Sequence, residues 1–308
     1  MIGPGTLVSV GLPVRNGAAR LEGVVRSVLA QDHPDIELVI CDNASTDGTE
    51  EICRELARAD DRIVYHRQPE NVGLLNNFIS AGRLARGEFL RWVGDDDRLE
   101  PGCVSRSLRA FAEDERLILV TTQVAYTDPD GTTRTGVYEG TGLRSGDPVE
   151  RFAEMLRLLN ESHLLIDPLY GLMRRSAVIG IPRRNMLRED EVFAAKLALA
   201  GPWGHVPEVL AHRNWKHERM GTIARRLDVP VWQARFSSTL QYRELLRWLD
   251  RSGLTDDRLR RARAAARRMY VRRQCVVAAR RGRKLARMAA NLVTSGRVAG
   301  RPAPGPRP

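Results

Sequence analysis

Four short apolar runs, Leu7 to Leu12, Glu37 to Cys41, Arg62 to His66 and Glu88 to Val93, alternate with segments of helical spacing over the first hundred residues. Few folds accept such a pattern. Between the first two runs, Leu21, Val24, Val25, Val28 and Leu29 recur at the spacing that puts side chains on one helix face. Ser45, Thr46 and Asp47 offer N-cap chemistry ahead of a second helix, Glu50 to Ala59, and Val72 to Arg86 reads as a third. Strands joined through helices by short connections pair in parallel, which predicts an α/β, Rossmann-like, doubly wound sheet. Ligands of such sheets bind beyond the C-terminal strand ends. The loops at those ends are 13–17, 42–48, 67–73 and 94–97, and all four are rich in polar side chains.

The last of them holds three consecutive aspartates, Asp95, Asp96 and Asp97, directly after the run Phe89 to Val93. Three carboxylates at the end of a buried strand repel one another and resist desolvation. They make sense there with a divalent cation, or with a ligand that carries one, which points to chemistry on a phosphate-bearing substrate. An acidic turn that merely caps the helix after Pro101 is the plainer alternative.

After Pro101 the pattern changes. A helix to about Glu113 leads into Leu117 to Thr122, then a hairpin turning at Asp128-Pro129-Asp130-Gly131, then a helix from Pro148 to Leu159. A further helix begins near Arg188-Glu189-Asp190-Glu191, and a strand-like Val206 to Ala211 follows. From about Val229 the chain reads as helices, and residues 300–308, rich in Pro and Gly, read as a disordered end.

The net charge of +11 suggests nucleic acid until it is located. Residues 251–308 hold 17 Arg or Lys against two acids, more than the whole excess, so residues 1–250 are net acidic. Nucleic acid is therefore not the expected partner. The basic helices could lie on an anionic membrane surface, pack against the catalytic part of the chain, bind nucleic acid without sequence preference, or serve solubility alone. Cys41, Cys53, Cys103 and Cys275 form no CxxC pair, which suggests neither a zinc site nor a disulfide framework. Without a charged leader, an apolar leader core or a membrane-length run, a cytosolic location is expected, at most peripheral at the inner membrane face.

Four linked stretches carry a resemblance. Val8 to Gly17, Glu37 to Thr49, Glu70-Asn71-Val72-Gly73 with Asn77, and Gly94-Asp95-Asp96-Asp97 with Pro101 resemble, in order and spacing, the family 2 glycosyltransferases. The likeness extends over roughly the first 215 residues. It implies the glycosyltransferase A (GT-A) fold, with a mixed sheet, a UDP-, GDP- or dTDP-linked sugar donor, a divalent metal (Mg2+ or Mn2+) and inversion at the anomeric carbon. On that basis residues 1–220 are expected to form the catalytic domain, 1–100 its nucleotide-binding half and 101–220 its acceptor-binding half. Residues 221–308 are expected to form a basic helical extension.

The resemblance also implies roles. Asp42 would accept hydrogen bonds from the base or ribose, although an Asx-turn opening the next helix explains it as well. Pro13, Val14, Arg15 and Asn16 would rim the base and ribose, with Asn71, Gly73, Asn77 and Asp95 completing the nucleotide side. Arg15 stands where the family often has an aromatic ring. Gly94 occupies the first acidic position of the family's Asp-x-Asp-Asp pattern, which leaves Asp96 and Asp97 as the matching metal ligands. Asp190 matches the general base, with helix capping as its plainer alternative. His217 would complete the metal or diphosphate site. The Gln-x-x-Arg-Trp motif of processive synthases is not in this sequence, so one sugar is expected to move per encounter, to a small-molecule or lipid-linked acceptor. A sugar nucleotidyltransferase, or an inactive nucleotide-sugar or nucleic-acid binding protein, are the competing functions.

Overall fold

The computed structural model describes residues 5–162, 164–216 and 218–298. Its first half runs β1 (Val8–Val14), α1 (Leu21–Leu29), β2 (Ile36–Asp42), α2 (Thr49–Ala59), β3 (Ile63–Arg67), α3 (Leu74–Leu84) and β4 (Phe89–Trp92). Each expected strand and helix is present, with shifts of one or two residues at most ends. The third helix starts late because Gly73 adopts φ 85°, a left-handed conformation that turns the chain into α3 and that residues with a Cβ resist.

The second half adds β5 (Arg98–Leu99), α4 (Cys103–Glu113), β6 (Leu119–Thr127), β7 (Thr133–Thr135), α5 (Pro148–Leu158), β8 (Leu172–Arg174), α6 (Arg175–Val178), α7 (Glu189–Ala200) and β9 (Trp203–Asn214). Then come α8 (Met220–Arg226), α9 (Gln233–Leu249) and α10 (Asp256–Val298). The sheet order is β3-β2-β1-β4-β8-β6-β9-β5, with β7 paired to β6. Strands β3, β2, β1 and β4 are mutually parallel, as expected. The sheet as a whole is mixed, because β8 runs antiparallel to both β4 and β6. At three residues, β8 is too short for periodicity to reveal, and only its pairing with β4 and β6 marks it.

Strands β1 and β2 are buried along their whole length, since helices cover both faces. Alternation decides which layer each residue enters. Ile36, Leu38 and Ile40 pack with Val24, Val25 and Val28 of α1, whereas Val39 and Cys41 face Ala81 of α3 and Trp92. Truncating one of these buried aliphatic residues to alanine would cost about 2–5 kcal/mol.

The basic C-terminal helices dock on this domain. Ala262, Ala265, Ala266 and Met269 of α10 recur at helical spacing and pack, with Leu245 and Leu249 of α9, on Val149, Phe152 and Leu156 of α5 and Val192 and Ala195 of α7. Most arginines of α10 up to residue 279 project into solvent from the other faces. Among the described residues no helix is long and apolar enough to cross a membrane. The disordered end expected at 300–308 lies outside the described residues.

Candidate active site

The C-terminal ends of β1, β2 and β4 open into one cleft of about 1590 Å³, walled on the far side by the turn before β8, the start of α7 and helix α8. Pro13, Val14, Arg15, Asn16, Asn71, Gly73, Asn77, Asp95, Asp96 and Asp190 all line it. The structure therefore brings together most of the residues singled out from distant parts of the sequence.

At the sheet end, short polar side chains lock the loops to each other. Asn16 has φ 53°; its amide donates to Ser45 Oγ at 2.9 Å and its Oδ1 accepts from the Thr46 amide at 2.9 Å. Asn71 Oδ1 accepts from Asn43 Nδ2 at 2.8 Å, and Asn77 Nδ2 donates to the Cys41 carbonyl at 2.7 Å. Asn77 Oδ1 is buried without a hydrogen-bond partner among the described residues, an unused acceptor beside the cleft. Asp42 departs from its expected position. It has no exposed surface, its Oδ1 accepts from the Ser45 amide at 3.0 Å and from the Ser45 hydroxyl, and its Oδ2 accepts from Tyr65 Oη at 3.0 Å. That is the loop-forming alternative, and it keeps the carboxylate off the cleft surface.

The three aspartates of the next turn have separate employments. Asp97, expected as a metal ligand, is turned inward: its Oδ2 accepts from the Gly94 amide at 2.7 Å and its Oδ1 from Arg213 Nε at 3.1 Å. Burial pushes its carboxyl up, and Arg213 opposes that. Gly94 belongs to the same arrangement, because a Cβ there would stand 3.1 Å from Asp97 Oδ2 and crowd the turn. Asp95 and Asp96 remain at the cleft surface, Asp95 paired with Arg20 and Asp96 with Lys216 Nζ at 2.7 Å. Magnesium and manganese are commonly held by one or two carboxylates together with substrate phosphates. Two adjacent cleft-facing carboxylates fit that kind of site. No group of three His, Cys, Asp or Glu side chains forms a cage among the described residues. His217 lies outside the described residues.

Asp190 opens α7. Arg188 before it has φ 64°, a left-handed conformation that is costly for a residue with a side chain and recurs at functional turns. Its neighbours in the turn are taken: Glu189 by Arg183, with Nε to Oε1 at 2.7 Å, and Glu191 by Arg188 and by Arg273 at 2.7 Å. Asp190 has no such partner among the described residues. Water reaches it from the cleft, but protein encloses it on the other sides, and this desolvation pushes its carboxyl up to about 6. Repulsion from Glu191, Glu189 and Asp167 adds to the effect, against a hydrogen bond from the Glu191 amide.

Sequence reasoning missed a network that ties the first acidic turn to the turn before β8. Arg213, at the end of β9, bonds Asp97 and Asp167, and its guanidinium lies 3.5 Å from the centre of the Tyr170 ring. Tyr126 Oη donates to Asp167 at 2.9 Å. Arg213 and Lys216 lie within four residues of His217 in the sequence. The available signal was their charge, since a site for phosphates needs cations as much as a metal.

This mixed sheet, with its acidic turn after β4, is the glycosyltransferase A fold. TarS of S. aureus, residues 1–349, matches with a TM-score of 0.60 at 17% identity over 86% of this chain and 71% of that one. The mannosyltransferase PcManGT of Pyrobaculum calidifontis, solved with GDP-Man and Mn2+, matches at 0.54 and 18% identity over 95% and 80%. Within that fold, residues 9–180 match the family model described as glycosyl transferase family 2, and the chain belongs to that family. It is 33% identical over 126 residues to chondroitin synthase of Pasteurella multocida (strain Pm70), covering 41% of this chain and 13% of that protein. It is 34% identical over 107 residues to the putative teichuronic acid biosynthesis glycosyltransferase TuaG of Bacillus subtilis (strain 168), covering 35% and 42%. The chain thus spans less than half the length of these curated relatives.

Proposed function

We propose that this protein transfers one sugar from a nucleoside diphosphate sugar to an acceptor hydroxyl, with inversion and with a divalent metal. The observation that carries the reading is Asp190: a carboxylate without a cation partner among the described residues, lining the cleft that also receives Asp95 and Asp96. The nucleotide lies against Pro13, Val14, Arg15, Asn16, Asn71, Gly73 and Asn77. Asp42 acts behind them by fixing the loop through Ser45. Asp95 and Asp96 would hold the metal, which when bound supplies a Lewis acid that neutralises charge on the departing diphosphate. Arg20 and Lys216, already beside those carboxylates, are free to turn to the phosphates.

The chemical step is a single displacement. The bond from the anomeric carbon to the phosphate oxygen breaks, a bond to the acceptor oxygen forms, and the acceptor proton passes to an Asp190 oxygen. A carboxyl that titrates near 6 is mostly ionised at neutral pH and holds a proton better than an ordinary aspartate. Residues 101–220 would hold the acceptor. The patch Val231, Trp232 and Phe236, exposed in a segment that also exposes Arg235, supports contact with an anionic bilayer and hence a lipid-linked acceptor. Flotation with anionic against neutral vesicles checks that contact, and equal behaviour with both lipids would reject it.

Thermal-shift screening of nucleoside diphosphates and nucleotide sugars with manganese identifies the donor. With that donor, Asp190→Asn is expected to bind as the parent does and to stop transfer. Transfer at the parent rate would remove the proposal.

A further inference from the structure

The helix that composition sets apart reaches into the catalytic turn. Arg273 of α10 has a side chain only 11% exposed, and its guanidinium is engaged on every side. Nε donates to Asn160 Oδ1 at 2.8 Å, Nη1 donates to Gln241 Oε1, and Nη2 donates to the Leu159 carbonyl at 2.9 Å and lies 2.7 Å from Glu191 Oε2. These partners come from the end of α5, from α9 and from the first turn of α7. Gln241, itself buried, donates from Nε2 to the same Glu191 oxygen at 3.0 Å. Arg188 takes the other oxygen. Only the planar five-donor fork of arginine reaches all these acceptors at once.

We infer that Arg273 is a positioning residue of the catalytic turn: by holding and neutralising Glu191 it leaves Asp190 as the unpaired acid that faces the cleft. The inference rests on the proposed role of Asp190. Three acids in one helical turn carry more charge than the partial positive charge of a helix N-terminus offsets. Around Asp190 stand Glu189 and Glu191 from its own helix, and Asp167 and Tyr170 from the turn before β8. The balancing cations are Arg183 on Glu189, Arg188 and Arg273 on Glu191, and Arg213 on Asp167. Without Arg273, Glu191 keeps one cation instead of two and repels a negative Asp190 more strongly. The proton affinity of Asp190 then rises, and the pH below which it cannot act as a base rises with it. The basic extension is on this account part of the site.

The test is titration of the Asp190 carboxyl by carbon-13 NMR of the full chain labelled at aspartate, with Asp190→Asn assigning the signal. No substrate is required. Arg273→Gln is expected to raise the midpoint by about half a pH unit or more. Arg273→Lys, which keeps the charge and loses the fork, is expected to stay near the parent midpoint. An unmoved midpoint in Arg273→Gln, or an equal shift in both variants, overturns the inference. Should Arg273→Gln fail to fold, Glu191→Gln decides: the midpoint must fall, and an unchanged value overturns it equally. If Asp190→Asn stops transfer while Arg273→Gln leaves the titration alone, this inference fails by itself. If Asp190→Asn still transfers sugar, the functional reading fails whatever the titration shows.

Discussion

The two acidic turns of the cleft, 95–97 and 189–191, have nearly the same composition and opposite wiring. In the first, the two outward carboxylates are paired with long, solvent-exposed cations, Arg20 at 42% and Lys216 at 55% side-chain exposure. Exposed pairs of this kind are worth about 0–1 kcal/mol and exchange partners easily. In the second, the outer glutamates are clamped by more buried arginines, Arg183 at 6% and Arg273 at 11%, and the central aspartate has no cation partner among the described residues. On the proposed function the first turn would trade its cations for a metal and a diphosphate, and the second would keep its cations so that Asp190 serves as the base.

The largest effect expected from this contrast is on the second turn. Asp190→Asn should lower the transfer rate by about 10²–10⁴-fold, the usual worth of a general base. Parent activity should fall as pH drops through about 6, because the raised carboxyl picks up its proton there. A rate–pH profile checks both, and a flat parent profile between pH 5 and 7, on the scale of ordinary carboxylates near 4, would make the two turns equivalent.

Next in size is the metal edge. Asp96→Ala should weaken nucleoside diphosphate binding about tenfold or more in the presence of manganese and little in its absence. Calorimetry with and without the metal separates the two. An equal loss in both would mean that Asp96 acts as plain charge rather than as a metal ligand.

The sheet end of this contrast was legible in the sequence, and the wiring was not. Runs such as Leu7 to Leu12 and Glu37 to Cys41 announce themselves because a strand covered on both faces must be apolar nearly throughout. Asp47 and Asn71 are legible because short polar side chains close turns onto their near neighbours. Arg213 to Asp167 and Arg273 to Glu191 span long stretches of chain, and nothing local tells an arginine that will be buried from the many that stay in solvent. Asp42 and Asp97 show the converse. Their place in the loops is readable, but an aspartate facing the cleft and one facing inward are the same letter.

Asp97 gives the third prediction. Because it is buried against Arg213 and the Gly94 amide, Asp97→Asn should cost about 1–3 kcal/mol of unfolding free energy, read from denaturant midpoints at constant slope. Asp95→Asn, on the outer side of the same turn, should cost under about 1 kcal/mol. Similar losses at the two positions would erase the division of labour within the triplet.

The smallest effect is the most discriminating. Lys216→Met removes a pair that lies 2.7 Å from Asp96 but is exposed, so the stability of the free protein should change by less than about 1 kcal/mol. Manganese alone should bind somewhat more tightly, because Asp96 no longer has a resident cation to shed. A nucleoside diphosphate bound together with manganese should bind less tightly, because one phosphate partner is gone. Paramagnetic titration of manganese with and without the diphosphate reads both signs in one protein. Opposite signs fit a lysine that changes partners when the donor arrives; losses in both would show that Lys216 merely holds the turn in shape, as the arginines hold the other.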